Sequence, residues 1–359
     1  MAELLKNRYT KAFVADLANR VGAVYGRFDR EGFVNAVLSK GWRGLELKDR
    51  MKRISETLER FLPRDYRRSL DILEQVAPDE QGFEYMFLPD FVERRGLESF
   101  ERSMQALEVF TEFASAEFAV RPFIVRYPDR MMRRLKRWAK SKNEHLRRLA
   151  SEGCRPRLPW AMALPQFKRE PSPVLEVLEI LKADPSEYVR RSVANNLNDI
   201  SKDHPDTTLA IARQWIGDNP DTDWLVKHAC RTLLKAGRTE AMELFGYAPP
   251  KGIRVETFEL LEEVPWEGDL SFSLRLERKR GALGRIRIEF GIDFLRSNGD
   301  WNRKVFKISE SDEKAKAKPV ERRFSFRRIS TRRYYPGEHR LAIIVNGQEI
   351  ASKPFELKG

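Results

Sequence analysis

Three stretches of this chain align with one another, and their spacing constrains the fold more than any other feature. SKNEHLRRLASEG begins at Ser141, DPSEYVRRSVANN at Asp184 and DTDWLVKHACRTL at Asp221, so successive starts lie 43 and 37 residues apart. Each opens on a helix-capping residue type. In the first two, Glu144 and Glu187 stand three places on, the spacing of a capping box. Pro185 fits the first helical position, where its missing N–H costs nothing. Val189, Val193, Leu197 and Ile200 recur at helical spacing and form one apolar stripe. A repeat of about 40 residues with a capped helix in each unit predicts a HEAT-like array. Single units cannot bury their stripe, so they stack into an α-helical solenoid. Any helical bundle shares the apolar spacing, but the repeated caps and aligned arginines favour the solenoid.

Helical patterning runs to about residue 245, although the repeat is blurred before residue 110. FGYAPPKG, Phe245 to Gly252, then breaks it with two prolines and two glycines. Beyond it, IRVETFEL, LSFSLRLERK, GRIRIEFGIDF, NRKVFKIS, ERRFSFRRI, HRLAIIVNG and IASKPFELK alternate or are rich in β-formers. Seven short strands in this space predict an immunoglobulin-like β-sandwich. Val345 to Gln348, VNGQ, carries the Asn-Gly of a two-residue hairpin turn. SESDEKAKAKPVE, from Ser309, is expected to be a flexible charged loop. The expected domains are therefore a helical one over 1–248 and a β one over 249–359.

The 67 Lys and Arg against 54 Asp and Glu leave a charge of +13, spread along the whole chain. A folded basic surface for a polyanion follows, with nucleic acid the first choice. Two cysteines, Cys154 and Cys230, are too few for a disulfide framework, and a reducing cytoplasm fits. The N-terminal stretch MAELLKNRYTKAF lacks a signal-peptide apolar core, and no apolar run is long enough to span a membrane. There is no phosphate-binding glycine loop. The four histidines show no metal-ligand spacing, and no metal or cofactor is expected.

Stacked repeats place equivalent positions in line. Arg148, Arg191 and His228 share one slot, and Arg121 in AEFAVRPF occupies a similar one. Such a row could track a phosphate backbone, or each arginine could pair with a nearby acid. Arg191, Asn195 and Asp199 also stand four apart on one helix, and Glu152 lies one turn after Arg148. A carboxylate in a basic groove repels DNA, so it serves either chemistry or the locking of an arginine. Trp160 sits among prolines in RPRLPWAMALP, where Arg155 and Arg157 add charge. Its ring could stack on a base or sugar, or plug the space between repeats.

SAEFAVRPF, SEGCRPRLPWAMALP and YVRRSVANNLNDISKDHP, in this order, resemble the AlkC branch of the AlkC/AlkD family of DNA alkylation repair glycosylases. The resemblance is strong from about residue 100 to 245, and the β segment resembles the immunoglobulin-like domain that some AlkC proteins carry. It implies excision of 3-methyladenine and 3-methylcytosine from duplex DNA, without flipping the lesion into a pocket; a monomer is expected because a solenoid with a sandwich need not assemble. It also implies that Glu117, Glu152, Trp160 and Asp199 form the site; the repeat column and the charge of the loop add Arg148, Arg191, His228, Arg121, Arg155 and Arg157 as the expected DNA-binding cations. The competing expectation is a non-catalytic HEAT-like scaffold that binds DNA or protein through the same groove; it has no need of the acids and Trp160.

Overall fold

The computed structural model describes residues 5–78, 80–329 and 332–359. The first four residues of the N-terminal stretch discussed above lie outside the described residues. The chain divides into two compact units, residues 1–204 with 215–229, and residues 205–214 with 230–359. Among the described residues no helix is long and apolar enough to cross a membrane.

The first unit is helical. Its repeat is visible in the helices Glu144–Gly153, Glu187–Ile200 and Pro220–Ala229. The middle one packs against the other two, and the helix Ser172–Leu181 lies against the first and second. The stripe Val189, Val193, Leu197 and Ile200 is wholly buried in this stack. Burial of such a face, not helix propensity, supplies most of the stability of helices this short.

The helix starts differ from the capping boxes expected. Asn143, not Ser141, is the first N-cap, and its side chain accepts from the His145 N–H. In the second repeat the N-cap is Ser186 and the helix begins at Glu187, so Pro185 precedes the cap. Asp184 instead accepts from the Ser186 N–H at 2.9 Å and from two nitrogens of Arg147 at 2.6 and 3.1 Å. One repeat later Arg190 repeats the device and donates to Asp221 at 2.9 Å. The aligned acids are thus staples between neighbouring repeats, made by the first arginine of each pair.

The second unit carries eight strands, β1 (Ile253–Leu260), β2 (Glu263–Val264), β3 (Asp269–Arg278), β4 (Gly284–Leu295), β5 (Trp301–Glu313), β6 (Ala317–Ser325), β7 (Gly337–Val345) and β8 (Gln348–Leu357). They form two sheets, ordered β1-β3-β6 and β2-β8-β7-β4-β5. Leu270, Phe272, Leu274 and Leu276 alternate inward on β3 and meet Ile288, Phe290, Ile292, Leu341, Ile343 and Val345 in one core. This is the expected immunoglobulin-like sandwich, with the two-residue β2 added by a parallel pairing to β8. Asn346 and Gly347 both take positive φ, 45° and 77°, as the expected hairpin turn requires. The charged stretch from Ser309 is not a loop. β5 continues through Glu313 against β4, and β6 begins at Ala317 against β3. Its charges are divided: Glu310 pairs with the buried Arg287, Glu313 pairs with Lys318, and Lys314 and Lys316 are exposed between the two strands.

Candidate functional site

Glu117 stands in a turn before the helix Val120–Arg126, whose cap is Ala119. It is therefore no capping residue: its carboxylate accepts from the Ser115 hydroxyl at 2.7 Å and from Arg148. Glu152 lies in the last turn of Glu144–Gly153. It accepts from Arg155 at 2.6 Å and from Ser192 at 2.6 Å, while Arg148 approaches to 3.6 Å. Asp199, at the end of Glu187–Ile200, accepts from Arg155 at 2.9 Å and from Lys202 at 3.0 Å. Three acids alternate with Arg148, Arg155 and Lys202 in one continuous chain of charge. Ser192 donates its one hydroxyl proton to Glu152, and the Ser151 hydroxyl lies 2.6 Å from Ser192 and 3.0 Å from the Arg148 carbonyl, the two acceptors open to its single proton.

This chain opens onto a cleft of about 510 Å³. Glu117, Glu152 and Arg155 form its polar wall; Phe83, Met86, Phe113 and Trp160 line its apolar side. Asp199 is not in the lining. It is 2% exposed and sits behind Arg155. Trp160 does not plug a gap between repeats: it is 66% exposed. Its backbone is left-handed, at φ 63°, which costs a residue other than glycine about 1 kcal/mol. The loop that holds it there is tied at several points. Arg121 donates to the carbonyls of Met162 at 2.7 Å and Gly153 at 2.9 Å, Leu164 donates to Pro156 at 3.1 Å, and Lys48 donates to the Trp160 carbonyl at 2.7 Å.

The expected row of phosphate-tracking cations divides in two. Arg121 is fully buried among backbone carbonyls, and burial pushes its guanidinium down to about 10. It is a brace for the Trp160 loop, not a surface cation. Arg148 and Arg155 are committed to the acids. Burial opposes their charge, yet Glu117 and Glu152 around Arg148, and Glu152 and Asp199 around Arg155, hold both above the ordinary arginine value. Arg148 also lies over the Tyr188 ring, 5.0 Å from its centroid. Arg191 is different: its side chain is 60% exposed and reaches Glu187 at 2.5 Å. Arg157 pairs with Asp203 at the surface. His228 stacks on Trp224 at 5.2 Å and meets Asn195 at 3.3 Å. So the column Arg191, Asn195, Asp199 runs from solvent into the protein, and its three members do three different things.

Several residues of the site carry no local signal. Ser192 lies 40 residues from the Glu152 it holds, and Lys48 lies 112 residues from Trp160. Phe83 and Met86 belong to the part of the sequence in which the repeat is blurred, and Phe113 lies just beyond it. Ser192 did have one clue: it follows the arginine pair one turn before Asn196, inside the aligned block.

Comparison with known proteins bears on the family and the fold. Residues 97–243 match the family model described as DNA alkylation repair enzyme, and residues 254–359 match the C-terminal Ig-like domain of uncharacterised protein YhaZ. The chain is 42% identical over 355 residues to the uncharacterized protein YhaZ of Bacillus subtilis (strain 168), covering 98% of this chain and 99% of that one. It is also similar to the structure of Pseudomonas fluorescens alkylpurine DNA glycosylase AlkC bound to DNA containing an abasic site analog. That match has a TM-score of 0.94 and 36% identity, and covers 99% of this chain and 100% of the other. With both units matched along their whole length, the chain belongs to the AlkC branch of the AlkC/AlkD family of HEAT-like-repeat DNA alkylation repair glycosylases, with a C-terminal immunoglobulin-like domain.

Proposed function

We propose that this glycosylase hydrolyses the N-glycosidic bond of cationic N3-alkylated bases, 3-methyladenine and 3-methylcytosine, in duplex DNA. The observation that carries this is the shared cleft: the carboxylates of Glu117 and Glu152 face it together with the exposed Trp160 ring. Alkylation at N3 gives the base a positive charge. When the bond to C1′ breaks, its electron pair neutralises the base, so no acid need protonate the leaving group. The charge left on the sugar is met by a carboxylate. Water then adds to C1′, and its proton passes to a carboxylate and on to solvent. The Trp160 face suits a cationic base or sugar, as cation–π attraction requires. Its ring lies at the rim, so contact does not require the base to leave the helix. No metal or cofactor enters these steps. Asp199 contributes from behind, by fixing Arg155 against Glu152.

The direct test is incubation with N-methylated duplex and identification of the released bases. Release of 3-methyladenine and 3-methylcytosine with retention of neutral bases is expected. Equal release of neutral alkylated bases would overturn the leaving-group argument.

DNA contact is assigned to the cations that stand at the surface, where a pair such as Arg191–Glu187 is open to solvent. Arg191→Ala should lower the salt slope of duplex binding by about one, as loss of one phosphate contact does. Arg148→Ala should leave that slope unchanged, because Arg148 is spent on Glu117 and Glu152. Equal slope changes for both, in titrations of undamaged duplex, would restore the row of phosphate contacts. The arginine-rich stretch from Arg322 to Tyr335 is proposed to assist; its Ser330 and Thr331 lie outside the described residues. Arg328, Arg332 and Arg333, with Trp266 and Tyr335, line a cleft of about 700 Å³ there, which suits a polyanion. We place the division of labour near residue 248, the glycosylase activity before it and accessory binding after it, in a monomer acting on cytoplasmic DNA.

A further inference from the structure

We propose that Lys48 is a positioning residue, which fixes Trp160 in the orientation that meets the lesion; this rests on the role proposed above for Trp160. Lys48 lies in the first turn of the helix Leu47–Phe61, far from the repeats that carry the acids. Its ammonium donates to the Trp160 carbonyl at 2.7 Å and stands over the Phe118 ring, 4.8 Å from the centroid. Both Phe118 and Trp160 line the cleft. One cation thus touches two residues of its lining.

The need for such a tie follows from the exposure of Trp160. A ring 66% exposed has little packing to hold it, so its direction is set by its backbone. That backbone is left-handed, a conformation that persists in a non-glycine residue only where its surroundings determine it. Arg121 secures the loop at Gly153 and Met162, on either side of the tip. Lys48 secures the tip itself. Holding the ring before DNA arrives removes an ordering cost from the reactive complex, and a loose ring loses rate even where binding persists.

Lys48→Met keeps the aliphatic stem and removes the donor and the charge. At saturating enzyme, single-turnover excision from methylated duplex should slow by roughly tenfold. Affinity for undamaged duplex and the melting temperature should hold. Lys48→Arg should recover most of the rate, since a guanidinium can still reach the carbonyl. If Lys48→Met melts early, Lys48→Leu, which also lacks a donor, serves in its place. Lys48→Met in a Trp160→Ala background should slow excision no further than Trp160→Ala alone. Multiplying effects would overturn the inference, as would a normal rate for Lys48→Met beside a slow Trp160→Ala. Weaker binding of undamaged duplex with a normal saturated rate would make Lys48 a phosphate contact instead. A normal rate for Trp160→Ala itself would remove the role of Trp160, and the tie with it.

Discussion

Glu152→Gln is expected to slow single-turnover release of 3-methyladenine by roughly 10²-fold or more, the loss seen when one transition-state electrostatic contact goes. The substitution keeps the shape and the ability to accept from Ser192, and it removes the charge that faces the cleft. Duplex affinity should hold or rise, because a negative charge has left a surface that meets phosphate. Stability should fall, for Glu152 is only 5% exposed and is the shared partner of Arg148 and Arg155. That fall is common to two readings of Glu152, and the rate separates them. If locking arginines were the whole role of Glu152, the variant would melt earlier and bind DNA less well, yet release base at a near-normal rate once saturated. Glu117→Gln should show a rate loss of the same kind, since Glu117 shares the cleft wall. Asp199→Asn should lose stability more than rate, because Arg155 and Lys202 occupy both its oxygens. Single-turnover kinetics with thermal melts on the three variants decides among these outcomes; a wild-type rate for both Glu152→Gln and Glu117→Gln would end the electrostatic account.

The sequence made the architecture legible because the architecture is periodic. An apolar stripe such as Val189 to Ile200 has only one way to be buried, and alternation such as Leu270 to Leu276 has only one face to offer a core. Glu152 and Trp160 could likewise be singled out from a charge in the wrong place and a proline-fixed loop. Burial was not legible. Arg190 and Arg191 are neighbours of the same type, and nothing local says that the first staples Asp221 while the second stands in solvent. Their directions differ by one step of helical rotation, which becomes decisive only once the next repeat is stacked. Arg121 shows the same limit: a cation in a basic chain reads as surface until the carbonyls of Gly153 and Met162 close over it. The caps were misplaced by two residues for a related reason. Asp184 has the chemistry of a cap, but the guanidinium of Arg147 competes for it, and Ser186 is left to open the helix.

The residue whose loss should destabilise the protein most is Arg155, which sequence reasoning set among the DNA contacts. It joins Glu152 at 2.6 Å to Asp199 at 2.9 Å, and all three side chains are buried. Arg155→Met would fill much the same volume and leave two carboxylates without their common partner. Breaking a buried pair from one side costs about 3–5 kcal/mol, because the abandoned charge remains desolvated. A fall in melting temperature of roughly 4–7 °C is expected for a chain of this size. Adding Asp199→Asn should return part of the loss, since one of the two stranded charges is then gone. A phosphate contact would behave otherwise: melting would change little, the second substitution would recover nothing, and the salt slope of duplex binding would drop by about one. Thermal melts of the single and double variants, with salt titrations of the single one, tell the two roles apart. The buried role also carries a consequence for catalysis, because Arg155 is the group that holds Glu152 to the cleft wall. Excision by Arg155→Met should therefore fall even at temperatures where the variant is fully folded, and a normal folded-state rate would show that Ser192 and Arg148 suffice to orient Glu152 without it.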